Sequence, residues 1–334
     1  MIVKLFVATR SRQDFFNFVG AEGRNCLPGI AFASIGTIQP MSFSAASRRS
    51  LLAAAAILLV TQPAFFQPAE AAESSRIVAL GGTVTEILYA IGAGDRIAAV
   101  DSTSTYPKEA ADKPDVGYVR QISPEGVLSQ KPDLIVAESG AGPADAIEIL
   151  KTSGVNFISI PSPPETASIP DKIRAVGAAI GESDKAEALA TDVAGKLKAL
   201  EEKVAAQTGP KKKVLFALSL ANGRIMAAGA NSSADAMIRL AGGENAVSSI
   251  SGYKPLTDEA VIAAAPDVVL VMSGGAMHLT AEQAFALPAL AASPAGQTGA
   301  FLTMDGLFLL GLGPRATEAA AELHAKLYPE STKP

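Results

Sequence analysis

The feature that most restricts the fold of this chain is an internal repeat. Two motifs occur in order in each half: GGTVTEILYAIGAGDRIAAV at 81–100 with SPEGVLSQKPDLIVA at 123–137, and GANSSADAMIRLAGGENAV at 229–247 with TDEAVIAAAPDVVLV at 257–271. Identical residues recur at matching positions, namely Glu125 with Glu259, Pro132 with Pro266 and Asp133 with Asp267. Such self-similarity indicates two copies of one structural unit.

Short apolar runs alternate with helical patterns in both copies. The sequence predicts strands at 76–80, 96–100, 133–137, 156–160, 213–218 and 268–272. It predicts helices at 124–130, 144–152, 169–180, 183–207 and 316–328, and one that Thr83 or Thr85 caps and that ends near 91. Alternating strands and helices imply a parallel sheet covered by helices.

A long helix separates the two copies. It has apolar residues spaced by threes and fours along one face, and Ser183 is the expected N-cap. We therefore predict an α/β fold of two pseudo-symmetric lobes with parallel sheets, joined by this backbone helix, with a ligand cleft between them. The expected boundaries are 72–182, 183–208 and 209–334. The alternative is one continuous α/β domain that carries the helix on its surface.

Residues 1–71 have the pattern of a leader. After Met41, two arginines at 48–49 precede an apolar run at 51–60 and the small-residue site Ala-Glu-Ala at 69–71. The run is too short for a permanent transmembrane helix. We expect 41–71 to be a cleaved signal peptide of the ordinary secretion route, 1–40 to precede the true start, and the mature protein to lie in the periplasm. A long leader that begins at residue 1 is the alternative.

The composition argues against several classes of function. The formal charge of −5 disfavours nucleic acid and anionic membranes as partners. The one cysteine, Cys26, lies in the leader, so we expect neither disulfides nor thiolate metal sites in the mature chain. Dinucleotide, P-loop, G-x-S-x-G and H-E-x-x-H patterns are absent from the sequence. We expect a soluble, monomeric binding protein and not an enzyme.

Four stretches carry a resemblance to a known family. They are RIVALGGTVTEILYAIGAGDRIAAVDSTSTYP, VGYVRQISPEGVLSQKPDLIVA, GYKPLTDEAVIAAAPDVVLV and MDGLFLLGLGPR. Over 76–328 the chain resembles the haem-binding proteins of bacterial haem ABC importers. The repeat is typical of the wider class that binds metals, siderophores or cobalamin, whereas TSTYP with VGYVR is typical of the haem branch. The resemblance implies ferric haem, Fe(III) protoporphyrin IX, as the transported ligand, and an ABC permease dimer as the partner.

Tyr106, in the TSTYP motif, is the candidate iron ligand. It lies in 101–120, which lengthens the first copy relative to the second, and inserted loops often carry binding function. A phenol keeps its proton to a pH of about 10, but ferric iron is a Lewis acid that favours the phenolate. Tyrosinate is an established haem ligand. In the resembling family, the tyrosine at this motif position is the haem ligand; the alternative is a packed loop tyrosine.

Further candidate contacts lie in loops expected to face the same cleft. Cations there could pair with haem propionates or support the phenolate, and Met or Tyr side chains could cover the porphyrin. The candidates are Lys108, Tyr118, Arg120, Arg224, Met226, Tyr253 and Lys254. For Lys108 a solvated loop charge is the alternative, and for Met226 and Tyr253 plain packing. His278 is the candidate second ligand and His324 is expected at the surface, so we favour a single, five-coordinate haem.

Glu125 and Glu259 hold equivalent positions at the starts of short helices. In the wider class, glutamates at these positions dock onto arginines of the permease, and a pseudo-two-fold pair suits a two-fold symmetric partner. The alternative is a favourable interaction with the helix dipole alone.

The alternative to haem as the ligand is a ferric siderophore or a corrinoid. The absence of tryptophan disfavours a siderophore. A structural relative of this class that neither catalyses a reaction nor binds these ligands is a less favoured alternative.

Overall fold

The structure is a computed structural model that describes residues 76–329, except 222 and 275–278. The predicted leader and His278 lie outside the described residues. All described residues belong to one compact unit, Phe65–Pro334. No helix among them has both the length and the apolar character needed to cross a membrane.

The first lobe is built on a four-stranded parallel sheet. Its strands are β1 (Ile77–Leu80), β2 (Ile97–Val100), β3 (Leu134–Glu138) and β4 (Asn156–Ile160), in the order β2-β1-β3-β4. The connecting helices are α1 (Gly82–Ala90), α2 (Pro124–Ser129) and α3 (Ala144–Thr152). Every residue of β1 is buried, as expected for a central strand covered on both faces.

The second lobe repeats this order and adds two strands. Its core strands are β5 (Lys213–Ala221), β7 (Glu244–Asn245), β9 (Val268–Ser273) and β10 (Phe301–Asp305). They are parallel in the order β7-β5-β9-β10, which corresponds to the order in the first lobe. The added strands β6 (Arg224–Ala228) and β8 (Tyr253–Pro255) are antiparallel. The two parallel sheets are therefore confirmed, with an antiparallel extension that was not predicted.

The remaining helices connect the lobes and cover the second sheet. They are α4 (Ile169–Ile180), α5 (Ser183–Ala205), α6 (Ser233–Leu240), α7 (Asp258–Ala264), α8 (Ala281–Phe285), α9 (Pro288–Ala291), α10 (Pro294–Thr298), α11 (Gly306–Leu310) and α12 (Ala316–Leu327). Helix α5 has 23 residues and buries the face that its apolar spacing predicts. One hydrophobic cluster runs from β1 through α4 and α5 to α6 and α12, so both lobes share it.

The backbone repeats between the copies in detail. Lys131 and Ala265, each just before the matching Pro-Asp pair, have left-handed φ values of 49° and 43°. Asp133 then accepts hydrogen bonds from the backbone N–H of Arg76 at 3.2 Å, and Asp267 accepts one from that of Lys213 at 2.8 Å. The same residues therefore make the same turn and tie it to the first strand of each lobe.

Two predicted helix caps are wrong. Neither Thr83 nor Thr85 caps α1: its N-cap is Gly81, which has no side-chain hydrogen bond. Both hydroxyls instead make tertiary contacts, Thr83 with the carbonyl of Gly311 and Thr85 with the hydroxyl of Ser104. Ser183 is likewise the first residue of α5 and not its cap.

The predicted surface position of His324 is also wrong. The residue is only 7% exposed, and its Nδ1 lies 3.0 Å from the carbonyl oxygen of Ala241. The cause is that α12 packs against α5 and α6 on the side that carries this histidine. His324 is therefore part of the packed core.

Candidate functional site

A pocket of about 300 Å³ lies between the lobes, beyond the carboxyl ends of β2 and β10. The first lobe contributes Thr105 and Tyr106, and the second contributes Asp305, Phe308 and Arg315. Ligands of open α/β sheets bind beyond the carboxyl ends of the strands. The pocket therefore has the position expected of a ligand site in this fold.

Tyr106 lies in an irregular segment after β2 and is 42% exposed. We call residues 101–107 the tyrosine loop. The loop is organised by Asp101, which is 1% exposed. Its carboxylate accepts hydrogen bonds from the backbone N–H groups of Gly81 and Thr103 at 2.7 and 2.9 Å, and from the hydroxyls of Thr103 and Ser104 at 2.6 and 3.0 Å. A buried charge with four donors fixes the loop to the start of α1.

The close approach of this loop requires glycine at the helix start. The backbone N–H of Gly82 donates to the Thr103 hydroxyl at 3.0 Å, and a Cβ at Gly82 would collide with the Thr103 carbonyl oxygen. Gly81 has a φ of 117°, which side chains rarely allow. The GGT sequence after β1 therefore receives the tyrosine loop and is not a dinucleotide motif.

Arg315 covers Tyr106 from the second lobe. Its guanidinium carbon lies 3.4 Å from the centroid of the Tyr106 ring and 5.0 Å from that of Phe308, within the range of cation–π attraction. Its Nη2 donates to Glu86 at 2.8 Å, and its backbone N–H donates to the same carboxylate at 3.2 Å. Its Nε is buried and has no hydrogen-bond partner among the described residues. Arg315 is therefore fixed by Glu86 on one side and by the two aromatic rings on the other.

The segment that carries Arg315 is held against the first lobe. We call residues 311–315 the arginine segment. The hydroxyl of Thr83 donates to the Gly311 carbonyl at 2.7 Å, and Nζ of Lys172 donates to the Leu312 carbonyl at 3.3 Å. Lys172 is 2% exposed and lies 3.5 Å from Glu138. Burial lowers the pKa of Lys172, and the charge of Glu138 opposes that effect.

The other first-lobe candidates lie near Tyr106 in sequence but do not line the pocket in the described part of the chain. Lys108 is exposed and begins the 3-10 helix Lys108–Asp112. Tyr118 and Arg120 are exposed between β2 and α2. Partial burial raises the pKa of Tyr253, and the charge of Arg120 opposes this effect. The charge of a first-lobe side chain therefore acts on a side chain of the second lobe.

The second-lobe candidates lie on strands and not in the loops we expected. Arg224 and Met226 belong to β6, and Tyr253 and Lys254 belong to β8, where Met226 pairs with Pro255. The ring of Tyr253 contacts Phe216 edge-on, with 6.5 Å between centroids. The sequence of β6, one arginine followed by four apolar residues, lacks the polar–apolar alternation that would have predicted a strand.

Glu125 and Glu259 occupy the second position of α2 and α7. The caps match as well: the hydroxyls of Ser123 and Thr257 each accept a backbone hydrogen bond at 3.3 Å. Both carboxylates are exposed. The N–H of its own residue and the Thr257 hydroxyl lower the pKa of Glu259, with a smaller contribution from Arg224. The matched, exposed placement is compatible with docking and with the dipole alternative alike.

Several residues of the site were missed in the sequence. Asp101, Glu86 and the pocket residues Asp305, Phe308 and Arg315 were not among the candidates, although MDGLFLLGLGPR contains the last three. The side chain of Asp305 accepts a hydrogen bond from the Phe308 N–H at 2.9 Å and caps α11. The available signals in the sequence were an aspartate in the position of a helix cap, Asp305, and the Gly-Pro-Arg sequence at 313–315 before the next helix.

Comparison with known proteins agrees with this fold. Residues 77–306 match the model of a family described as periplasmic binding protein. The haem-binding protein RhuT of Roseiflexus sp. RS-1 is 36% identical, with a TM-score of 0.71 over 77% of this chain and 98% of that chain. The haem-binding protein BhuT in complex with two haems is 37% identical, with a TM-score of 0.70 over 76% and 98%.

A relative with a different ligand also matches. The vitamin B12-binding protein of Vibrio parahaemolyticus is 30% identical over 210 residues, which are 62% of this chain and 74% of that protein. The predicted resemblance to periplasmic haem-binding proteins is confirmed, while the wider class is represented as well. The match over most of the described residues shows that this chain belongs to the periplasmic binding protein family.

Proposed function

We propose that this protein binds ferric haem in the cleft through Tyr106 and delivers it to an ABC permease of the inner membrane. The observation that carries the proposal is the pairing of an exposed phenol with Arg315 in the interlobe pocket. A phenolate is a hard anionic oxygen donor that suits Fe(III), and a guanidinium beside it supplies compensating charge. The protein acts in the periplasm, after export by the signal peptide at 41–71.

Further contacts to haem come from both rims of the cleft. Arg120 and Tyr253 are exposed side chains of different lobes, and we assign them to a propionate and to the porphyrin edge. Lys108, Tyr118, Arg224, Met226 and Lys254 are secondary candidates. A single haem is bound, with iron held by the one tyrosine.

The second candidate ligand is a corrinoid, because one relative is a vitamin B12-binding protein. Hemin and hydroxocobalamin should therefore be titrated into the mature protein in parallel. We expect hemin to bind one to one with a tyrosinate-type ferric absorption band. The band should be lost in Tyr106→Phe and kept in Tyr118→Phe, which removes an equally exposed phenol of the same connection that we do not assign to the iron.

The outcomes separate the candidates. A band that persists in Tyr106→Phe would show that another group holds iron. Tight binding of hydroxocobalamin without any spectral response to hemin would favour the corrinoid. A stoichiometry of two hemins would contradict the single-haem proposal.

Docking is the second part of the proposed function. We assign Glu125 and Glu259 to contact with the permease dimer, because both are exposed at the same position of matched helices. Charges at a rim guide association more than they add affinity. Tyr106 and these glutamates therefore have separate tasks, ligand capture and delivery.

A further inference from the structure

Helix α1 supports both sides of the candidate site. One face holds the tyrosine loop: Gly82 donates to Thr103 at 3.0 Å, and the hydroxyl of Thr85 lies 2.7 Å from that of Ser104. The adjacent face holds the arginine segment through Thr83 and Glu86. Residues three positions apart lie on the same face of a helix, so Gly82 and Thr85 contact one segment while Thr83 and Glu86 contact the other. The phenol and the guanidinium are therefore positioned against the same short helix.

Glu86 makes the stronger of the two contacts to the arginine segment. It is 5% exposed, and its two oxygens separately accept the backbone N–H and the Nη2 of Arg315. The first contact fixes where α12 begins, and the second fixes the direction of the guanidinium. An arginine side chain has much rotamer freedom, and a planar guanidinium held by a carboxylate loses most of it. Without Glu86, the Arg315 side chain is no longer held over the Tyr106 ring.

We propose that Glu86 is a positioning residue that fixes Arg315 against Tyr106 and thereby strengthens the iron–phenolate contact. This inference rests on the proposed function, since it concerns the same ligand. Glu86 touches neither Tyr106 nor the pocket, so it acts through Arg315. Its effect is specific to a ligand that contains iron and does not extend to the porphyrin ring.

A purely structural role is the competing explanation. Glu86 and Arg315 are remote in sequence, and their ion pair joins the two lobes. If the pair only stabilised the fold, its loss would weaken every ligand of the cleft alike. Hemin and metal-free protoporphyrin IX share the ring and propionates and differ in the metal. The ratio of their dissociation constants therefore separates the two roles.

The test measures both dissociation constants for wild type, Glu86→Ala, Glu86→Gln and Thr83→Val. In Glu86→Ala, hemin affinity should fall about tenfold, as expected for a lost contact to a charged group, while protoporphyrin IX affinity stays within about twofold. Glu86→Gln keeps the shape of the side chain and one acceptor oxygen, so its hemin affinity should lie between that of wild type and that of Glu86→Ala. Thr83→Val is the matched control: it removes a hydrogen bond from α1 to the same segment without touching Arg315.

A double-mutant cycle completes the test. Because Glu86 acts through Arg315, adding Glu86→Ala to Arg315→Met should cause no further loss of hemin affinity. Equal losses for both porphyrins, additive effects, or a loss in Thr83→Val that matches Glu86→Ala would overturn the inference. Should Glu86→Ala not fold, as judged by circular dichroism, unchanged hemin affinity in Glu86→Gln would overturn it as well.

Tyr106→Phe distinguishes this failure from failure of the proposed function. If wild type does not prefer hemin over protoporphyrin IX, or keeps its preference in Tyr106→Phe, the iron ligand is wrong and both proposals fall. If the preference disappears in Tyr106→Phe but persists in Glu86→Ala, only the positioning role is wrong.

Discussion

Replacing Asp101 with asparagine tests how the tyrosine loop is held. One carboxylate oxygen accepts from the Gly81 N–H and the Ser104 hydroxyl, and the other accepts from the N–H and the hydroxyl of Thr103. An amide has a single acceptor oxygen, so in either orientation its NH₂ faces a backbone N–H. The substitution keeps the volume of the side chain, removes the charge and replaces one acceptor oxygen with a donor NH₂ group.

The expected loss of stability follows from these contacts. A buried N–H left without a partner costs about 1–3 kcal/mol, and the remaining bonds lose their charge assistance, which adds about 1 kcal/mol. Hydroxyls can rotate to other acceptors, so they add little. We therefore expect Asp101→Asn to lower the free energy of unfolding by about 2–4 kcal/mol.

Urea unfolding followed by far-UV circular dichroism measures this loss. Asp115→Asn is the matched control, because Asp115 accepts one hydrogen bond from the Gly117 N–H at 2.7 Å in an exposed turn. Water can replace that acceptor, so the control should cost about 0.5 kcal/mol or less. Equal urea midpoints and equal m-values for the two variants would refute the role given to Asp101.

The remaining predictions concern a buried lysine and the docking glutamates. Burial lowers the pKa of Lys172 in the folded protein. At an alkaline pH below the ordinary pKa of lysine, the unfolded chain therefore binds more protons than the folded chain, and stability rises with pH. Wild type should therefore gain stability relative to Lys172→Met as the pH rises from about 8 to about 10; a constant difference in urea unfolding would contradict this. Glu125→Lys with Glu259→Lys should abolish uptake in cells that depend on haem iron while hemin affinity stays unchanged. Glu201→Lys, on the exposed face of α5, is the control, and weakened hemin binding by the glutamate pair would refute separate tasks.

The sequence was sufficient for the lobes and for most elements. The Pro-Asp pairs at 132–133 and 266–267 recur because each makes the same turn before a buried strand, and local patterns of this kind can be read directly. The spacing in α5 likewise predicted its buried face. These features depend on residues close in sequence, which is why pattern analysis could find them.

The candidate site was only partly predictable because its contacts are long-range. Glu86 and Arg315 meet across 229 positions, and no periodic pattern indicates such a pair. Thr83 and Thr85 looked like caps because tertiary partners for their hydroxyls cannot be seen in the sequence. In α12, alanines on several sides obscured which face is buried, so His324 was placed at the surface.

The apolar cluster through α4, α5 and α12 restricts how far the two lobes can move relative to one another. A wide hinge motion between two lobes needs a connection in which a few backbone residues can rotate. Here the connection consists of helices that pack against one another. We therefore expect the distance between the carboxylates of Glu125 and Glu259 to stay nearly constant once the chain has folded. If Glu125 and Glu259 dock onto the permease as proposed, the permease meets the same spacing with and without ligand, and only the ligand itself distinguishes the two states.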